Sequence, residues 1–185
     1  GHDTATLTQQ GATKLAETMR APPDMAGNIG LSLDIGVGFG LAGMLKAARV
    51  ASITAGRIYL VQHEAKYLKG PGGHTIAKHV GKTEEELRAR LVRERHLISA
   101  SSFTDLRTAE KAISDMLSAN RSRIMSWSST GDPRLELRQS FSRPLGKVLM
   151  RKSGKLDEAR TVTVVLRNEE YNEMPYYILT AFVGV

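Results

Sequence analysis

The chain of 185 residues contains no cysteine. That alone excludes a disulfide framework, thiolate metal sites and a cysteine nucleophile. Long apolar runs are missing too. A membrane helix needs roughly 18 or more consecutive apolar residues. The longest stretch of that character, Ile35 to Leu45, lies between Asp34 and Lys46 and is broken by four glycines. No stable membrane span is expected. The opening Gly1-His2-Asp3 is polar, with no basic region ahead of an apolar one, and does not read as a secretory leader.

What is present is the composition of a soluble globular protein, 41% hydrophobic and 24% charged. The net charge of +7, from 26 Lys+Arg against 19 Asp+Glu, favours polyanionic partners such as nucleic acid or an anionic membrane surface. The excess is unevenly placed. Residues 1 to 66 hold 6 Lys+Arg and 5 Asp+Glu, whereas residues 67 to 185 hold 20 and 14. The polyanion-binding part therefore lies beyond Tyr67. Lys69-Gly70-Pro71-Gly72-Gly73 is the natural break, dividing the chain into an N-terminal segment, 1–67, and a second part, 68–185.

In the first segment, Leu7 to Met19 has a weak helical period that ends at Ala21-Pro22-Pro23-Asp24. Leu41 to Gln62 reads as a mostly apolar helix that must be buried against something. The second part begins with short helices. Thr75 to Val80 is closed by Gly81, and Thr83-Glu84-Glu85-Glu86 is a capping box opening a helix to Arg93. Leu106, Ala109, Ile113, Met116 and Leu117 place another helix over Thr104 to Ser118. Beyond Trp127 the pattern turns to strands, clearest in Arg160 to Arg167 and Tyr176 to Val183. Helices followed by strands predict an α+β fold with an antiparallel sheet.

Several groups carry chemistry. Gly38-Phe39-Gly40-Leu41-Ala42-Gly43 fits a dinucleotide-binding glycine pattern, with Glu64 about where a ribose-binding acid would stand. No alternating βαβ pattern follows, so the glycines are read as permitting close helix packing. His74 and His79, five apart on a helix, point about 140° from each other. They cannot clamp one metal, and no metal site is read. His79 borders the buried stripe of Ile76 and Val80, so it can reach a cleft while anchored. At the helix N-terminus, the dipole disfavours a charged His74.

Arg90 flanks the Leu87–Leu91 stripe, where it can snorkel or hold a phosphate bidentately. Alternation on the last strand puts Tyr176, Ile178, Thr180 and Phe182 on one face, where the Thr180 hydroxyl is either merely tolerated or offered to a ligand. A basic run from Arg134 to Arg160, with Arg138, Arg143, Lys147, Arg151, Lys152 and Lys155, suits either solvent or phosphate.

The block Gly72-Gly73-His74-Thr75-Ile76-Ala77-Lys78-His79-Val80-Gly81-Lys82-Thr83 resembles the bacterial RNase A-like toxin domain. So do Leu87 and Arg90, Ala100-Ser101-Ser102-Phe103, Ala109-Glu110 and the closing Leu179-Thr180-Ala181-Phe182. That domain is found at the C-termini of contact-dependent growth inhibition (CdiA) proteins and other polymorphic toxins. The resemblance covers about residues 68–185. It implies a disulfide-free RNase A-like fold, in keeping with the missing cysteine and a reducing cytosol.

It also implies a metal-independent endoribonuclease without cofactor, acting through a 2′,3′-cyclic phosphate. His79, Arg90 and Thr180 fall on the family's catalytic histidine, arginine and threonine. Phe182 stands where the family has tyrosine and can only stack or pack, which leaves the general acid unassigned, with His74 no more than a guess for it. Further implications are an RNA substrate, a cognate immunity protein, acidic by charge complementarity, and a monomeric toxin. It would be secreted or surface-delivered within a larger protein and act in the target-cell cytoplasm. Two other readings remain: a non-catalytic RNA-binding module, and a first segment that engages membranes or serves delivery.

Overall fold

A computed structural model describes residues 40–67 and 70–185. The helix predicted over Leu7 to Met19, the break at Ala21 to Asp24 and the first two residues of the glycine pattern lie outside them.

Helix α1, Leu41–Ala55, is followed by a single 3-10 turn, Leu60–Gln62. The predicted helix to Gln62 stops at Gly56, which is extended, because Ile58 and Leu60 drop into the core. Next come α2, Thr75–His79, and α3, Glu84–Arg93, with the predicted Thr83–Glu86 capping box at its start. Strand β1, Ser99–Phe103, precedes α4, Leu106–Ala119, and α5, Arg121–Ser129. The remaining strands are β2, Arg134–Ser140; β3, Gly146–Met150; β4, Leu156–Ala159; β5, Thr161–Arg167; and β6, Tyr177–Gly184. The order is α+β as predicted.

Two elements had no legible pattern. In β1, Ala100 packs with Leu87, Leu91 and Leu149 beneath α3, while Phe103 joins the main core. A strand buried on both faces shows no alternation. In α5, Ile124, Trp127 and Ser128 are buried among arginines and serines too polar to read as a helix.

The strands form two three-stranded antiparallel sheets, β1-β3-β4 and β2-β5-β6. The chain passes from one to the other at Arg160, whose N–H bonds Gly184 while its carbonyl accepts from Phe141. Helices α4 and α5 and the strands enclose the main core, and Val50, Ile58 and Leu60 belong to it as well. The Thr54 hydroxyl lies 3.0 Å from the Tyr176 hydroxyl, Ile58 N–H donates to Ser114 Oγ, and Leu60 N–H donates to Glu110 Oε1. The burial expected of α1 is thus met by packing against α4 and α5.

Candidate active site

Strand β6 is the outer strand of its sheet, so one row of its backbone groups needs partners from elsewhere. The segment leading into α2 supplies them. His63 Nδ1 accepts from Ile178 N–H at 3.2 Å, His74 N–H donates to the Leu179 carbonyl at 3.1 Å, and Thr75 Oγ1 accepts from Ala181 N–H at 2.9 Å. Gly73 lies so close to the strand that a Cβ would fall 2.1 Å from the Ile178 carbonyl oxygen. Gly72, at φ +118, would push one onto Ala65. The two glycines of the motif therefore let the chain cross β6 in contact with it.

Glu64 holds the start of α2. Its Oε1 accepts from Ile76 N–H at 2.9 Å and its Oε2 from Ala77 N–H at 3.2 Å. This is the acid at the ribose-binding distance from the glycine pattern, and here it caps a helix instead. Gly40 and Gly43 sit at the first turn of α1.

The alternation predicted for the last strand breaks at a register shift. Val165 pairs with Thr180, but Leu166 pairs with Ile178, leaving Leu179 as an extra residue. Such a bulge reverses which face follows. Ile178, Ala181 and Val183 all point into the core, while Thr180 and Phe182 share the other face. The grouping of Tyr176 and Ile178 with Thr180 and Phe182 is therefore corrected. The two site residues are separated from the core residues by one inserted leucine.

His79, at the end of α2, is buried, with 8% of its surface exposed. Its ring centroid lies 5.7 Å from that of Phe182 and 6.4 Å from that of His74. Its Nδ1 lies 3.4 Å from the Ser101 carbonyl and 3.5 Å from Arg90 Nη1. One ring nitrogen cannot serve both. A proton on Nδ1 donated to Ser101 leaves Nε2 with a lone pair, whereas a bare Nδ1 accepts from Arg90 and places the proton on Nε2. Burial, and then the Arg90 charge, push His79 down to about 3, so the ring is neutral at pH 7. His74 is also lowered, by burial and then by Lys78.

Arg90 comes from α3 with its guanidinium already oriented. Nε donates to Glu94 Oε1 at 3.1 Å and Nη1 donates to the Lys78 carbonyl at 3.1 Å. Among the described residues Nη2 has no protein acceptor, which leaves that edge of the fork unengaged. Among the described residues the buried Thr180 Oγ1 has no hydrogen-bond partner, a state that costs about 1–3 kcal/mol in a folded protein. Thr180 shares its strand face with Phe182, whose ring centroid lies 5.7 Å from that of His79.

A histidine, an arginine and a threonine–phenylalanine pair from α2, α3 and β6 thus meet in one place. Residues 73–182, more than half of the chain, match the model of the bacterial CdiA-CT RNase A domain. The chain belongs to that family. It is also similar in structure to a chain in the crystal structure of a CdiA-CT/CdiI complex from Y. kristensenii. The two are 32% identical, and the match covers 61% of this chain and all of that one, with a TM-score of 0.54. No curated protein matches. The fold is RNase A-like and free of disulfides, as the resemblance implied.

Sequence reasoning missed several supports. Glu94, four residues after Arg90, carried a signal in its i, i+4 spacing. Ser101 acts through its carbonyl and Thr75 through a bond to a residue 106 positions distant, so neither left a local trace. The basic run divides. Arg151 donates to the carbonyls of Leu91, Glu94 and Leu97, Arg138 to Val185, and Arg160 to Ser142 and Glu158. Those three arginines bind the chain to itself.

Proposed function

We propose that the protein is an antibacterial toxin that cleaves RNA by transphosphorylation, without a metal ion. Support comes above all from one arrangement: an uncharged buried histidine beside an oriented arginine, next to a strand whose threonine hydroxyl has no partner among the described residues. His79 takes the proton of a ribose 2′-OH through Nε2. The freed oxygen attacks the adjacent phosphorus as the bond to the 5′-oxygen breaks; that oxygen leaves with a proton from water, and a 2′,3′-cyclic phosphate remains. The unengaged edge of Arg90 stabilises the charge that builds on the non-bridging oxygens, work that preorganised cations do well in a water-poor site. Thr180 donates its hydroxyl to one of those oxygens. Phe182 offers a face for stacking, and His74, whose ring centroid lies 6.4 Å from that of His79, contacts the substrate.

With Arg90 as the source of positive charge and His79 as the base, no step requires a metal. The need for a 2′-hydroxyl implies that DNA is not cut. Residues 68–185 are assigned as the nuclease domain; residues 40–67 pack upon it and are read as part of a preceding segment. The related complex pairs a CdiA-CT with CdiI, and a cognate acidic immunity protein is the partner proposed for this basic chain. The toxin is taken to be monomeric, delivered as part of a larger protein, and active in the target-cell cytoplasm.

The experiment is cleavage of RNA in excess EDTA with the product ends examined. Cyclic phosphate ends that persist under chelation, and vanish in His79→Ala, are expected. Loss of cleavage on chelation would overturn the metal-free mechanism. Unchanged cleavage by His79→Ala would overturn the assignment of the base.

A further inference from the structure

Behind Arg90, between α2 and α3, lies a cleft of about 290 Å³. Lys78, Lys82, Arg90 and Arg93 line it, against Glu86 and Glu94. Both carboxylates are already engaged. Glu86 accepts from Thr83 N–H in the capping box, and Glu94 holds Arg90. Lys78, Lys82 and Arg93 form no ion pair among the described residues. Ala77 and Ala89 keep the opening wide, since neither carries more than a methyl group.

The cleft is not isolated from the site described above. Arg90 forms the wall between them, reaching the Lys78 carbonyl with the same nitrogen that approaches His79. On the other side, Lys82 also borders a second cleft of about 580 Å³, where Lys147 lies. The position of Lys82 is fixed, because its backbone N–H donates to the buried Ser102 hydroxyl at 2.8 Å.

Cations without an ion-pair partner lining one groove, with Arg90 of the candidate site at its wall, are the kind of surface that holds a nucleic-acid backbone. We propose that Lys82 and Arg93 form a second phosphate-binding site, which holds the RNA backbone one or more nucleotides away from the bond that is cut. It rests on the nuclease reading for its ligand, but makes a separate demand: substrates reaching past the scissile bond should be held more tightly than a dinucleotide.

The test is binding of a 2′-deoxy oligonucleotide of about ten nucleotides, long enough for one groove and uncleavable for want of a 2′-hydroxyl. Fluorescence anisotropy would compare the full chain with Lys82→Gln/Arg93→Gln. The double variant should bind roughly tenfold more weakly, and its salt dependence should be shallower by about 1.4 in the log–log slope, near 0.7 for each phosphate that is no longer neutralised. On RNA of the same length kcat/KM should fall to a similar extent, while kcat/KM for a dinucleotide stays unchanged. Unaltered oligonucleotide binding would overturn the site. So would an equal loss on the dinucleotide, since the two residues would then act at the scissile phosphate. Weakened oligonucleotide binding in a protein that cuts no RNA would uphold the site and refute the nuclease reading.

Discussion

The Thr75 hydroxyl is fully buried and receives the Ala181 N–H at 2.9 Å. Valine has nearly the same shape, so Thr75→Val should fill the space while leaving that N–H buried and unpaired. The cost of such an orphan is about 1–3 kcal/mol. A loss of about 2 kcal/mol would move the urea midpoint down by about 1 M, taking an m-value near 2 kcal/mol/M. The midpoint of thermal unfolding would drop by about 4–8 °C. The same bond ties the start of α2 to β6, and α2 carries His79. Displacing a catalytic group by about 1 Å can cost up to roughly a hundredfold in rate, so RNA cleavage should fall by more than the stability loss explains. Unfolding of Thr75→Val within about 0.5 kcal/mol of the parent, with unchanged cleavage, would refute the idea that this bond positions the histidine.

Burial lowers His63 to about 4 and His79 to about 3. In the unfolded chain both ionise near 6.5. Between those values the unfolded state binds more protons, so stability is full above about pH 6.5 and falls as pH drops toward 4. His63 alone accounts for on the order of 3 kcal/mol of that loss. His63→Gln keeps an acceptor for Ile178 N–H without a titrating ring. Urea unfolding at several pH values should show a flatter dependence for it. Gly73→Ala sets a methyl against two backbone carbonyls of β6; a loss of more than about 3 kcal/mol in denaturant unfolding is expected, by the overpacking of a site with no flexible neighbour. Phe182→Tyr returns a hydroxyl beside His79, whose ring centroid is 5.7 Å away. Cleavage by this variant should equal or exceed that of the parent, with its pH–rate profile altered on the alkaline side.

The legible elements were those specified locally. The capping box at Thr83, the stop at Gly81 and the apolar stripe of α4 each depend on residues within a few positions of one another. The site residues His79, Arg90, Thr180 and Phe182 came from the motif, and periodicity alone left Arg90 and Thr180 with two readings each. The chain hid what depends on tertiary partners. The bulge at Leu179 has no sequence signature, since leucine fits either face, yet it decides that Thr180 leaves the core. Strand β1 lacks alternation because two cores claim its two sides. Arg151 looked like one more phosphate-binding cation, and its three carbonyl partners were unreadable from composition.

The anchoring of α2 on β6 also fixes when the site can exist. Every bond that seats the histidine helix on that strand joins residues more than 100 positions apart. A ribosome making this chain releases α2, with His79, long before it releases Thr180. Until β6 emerges, His79 has no strand to face, and Gly73 no carbonyl to pass. Contacts of such long range form late because the loop they close must be paid for first. On the proposed nuclease reading, the site is therefore incomplete until Thr180 has left the ribosome.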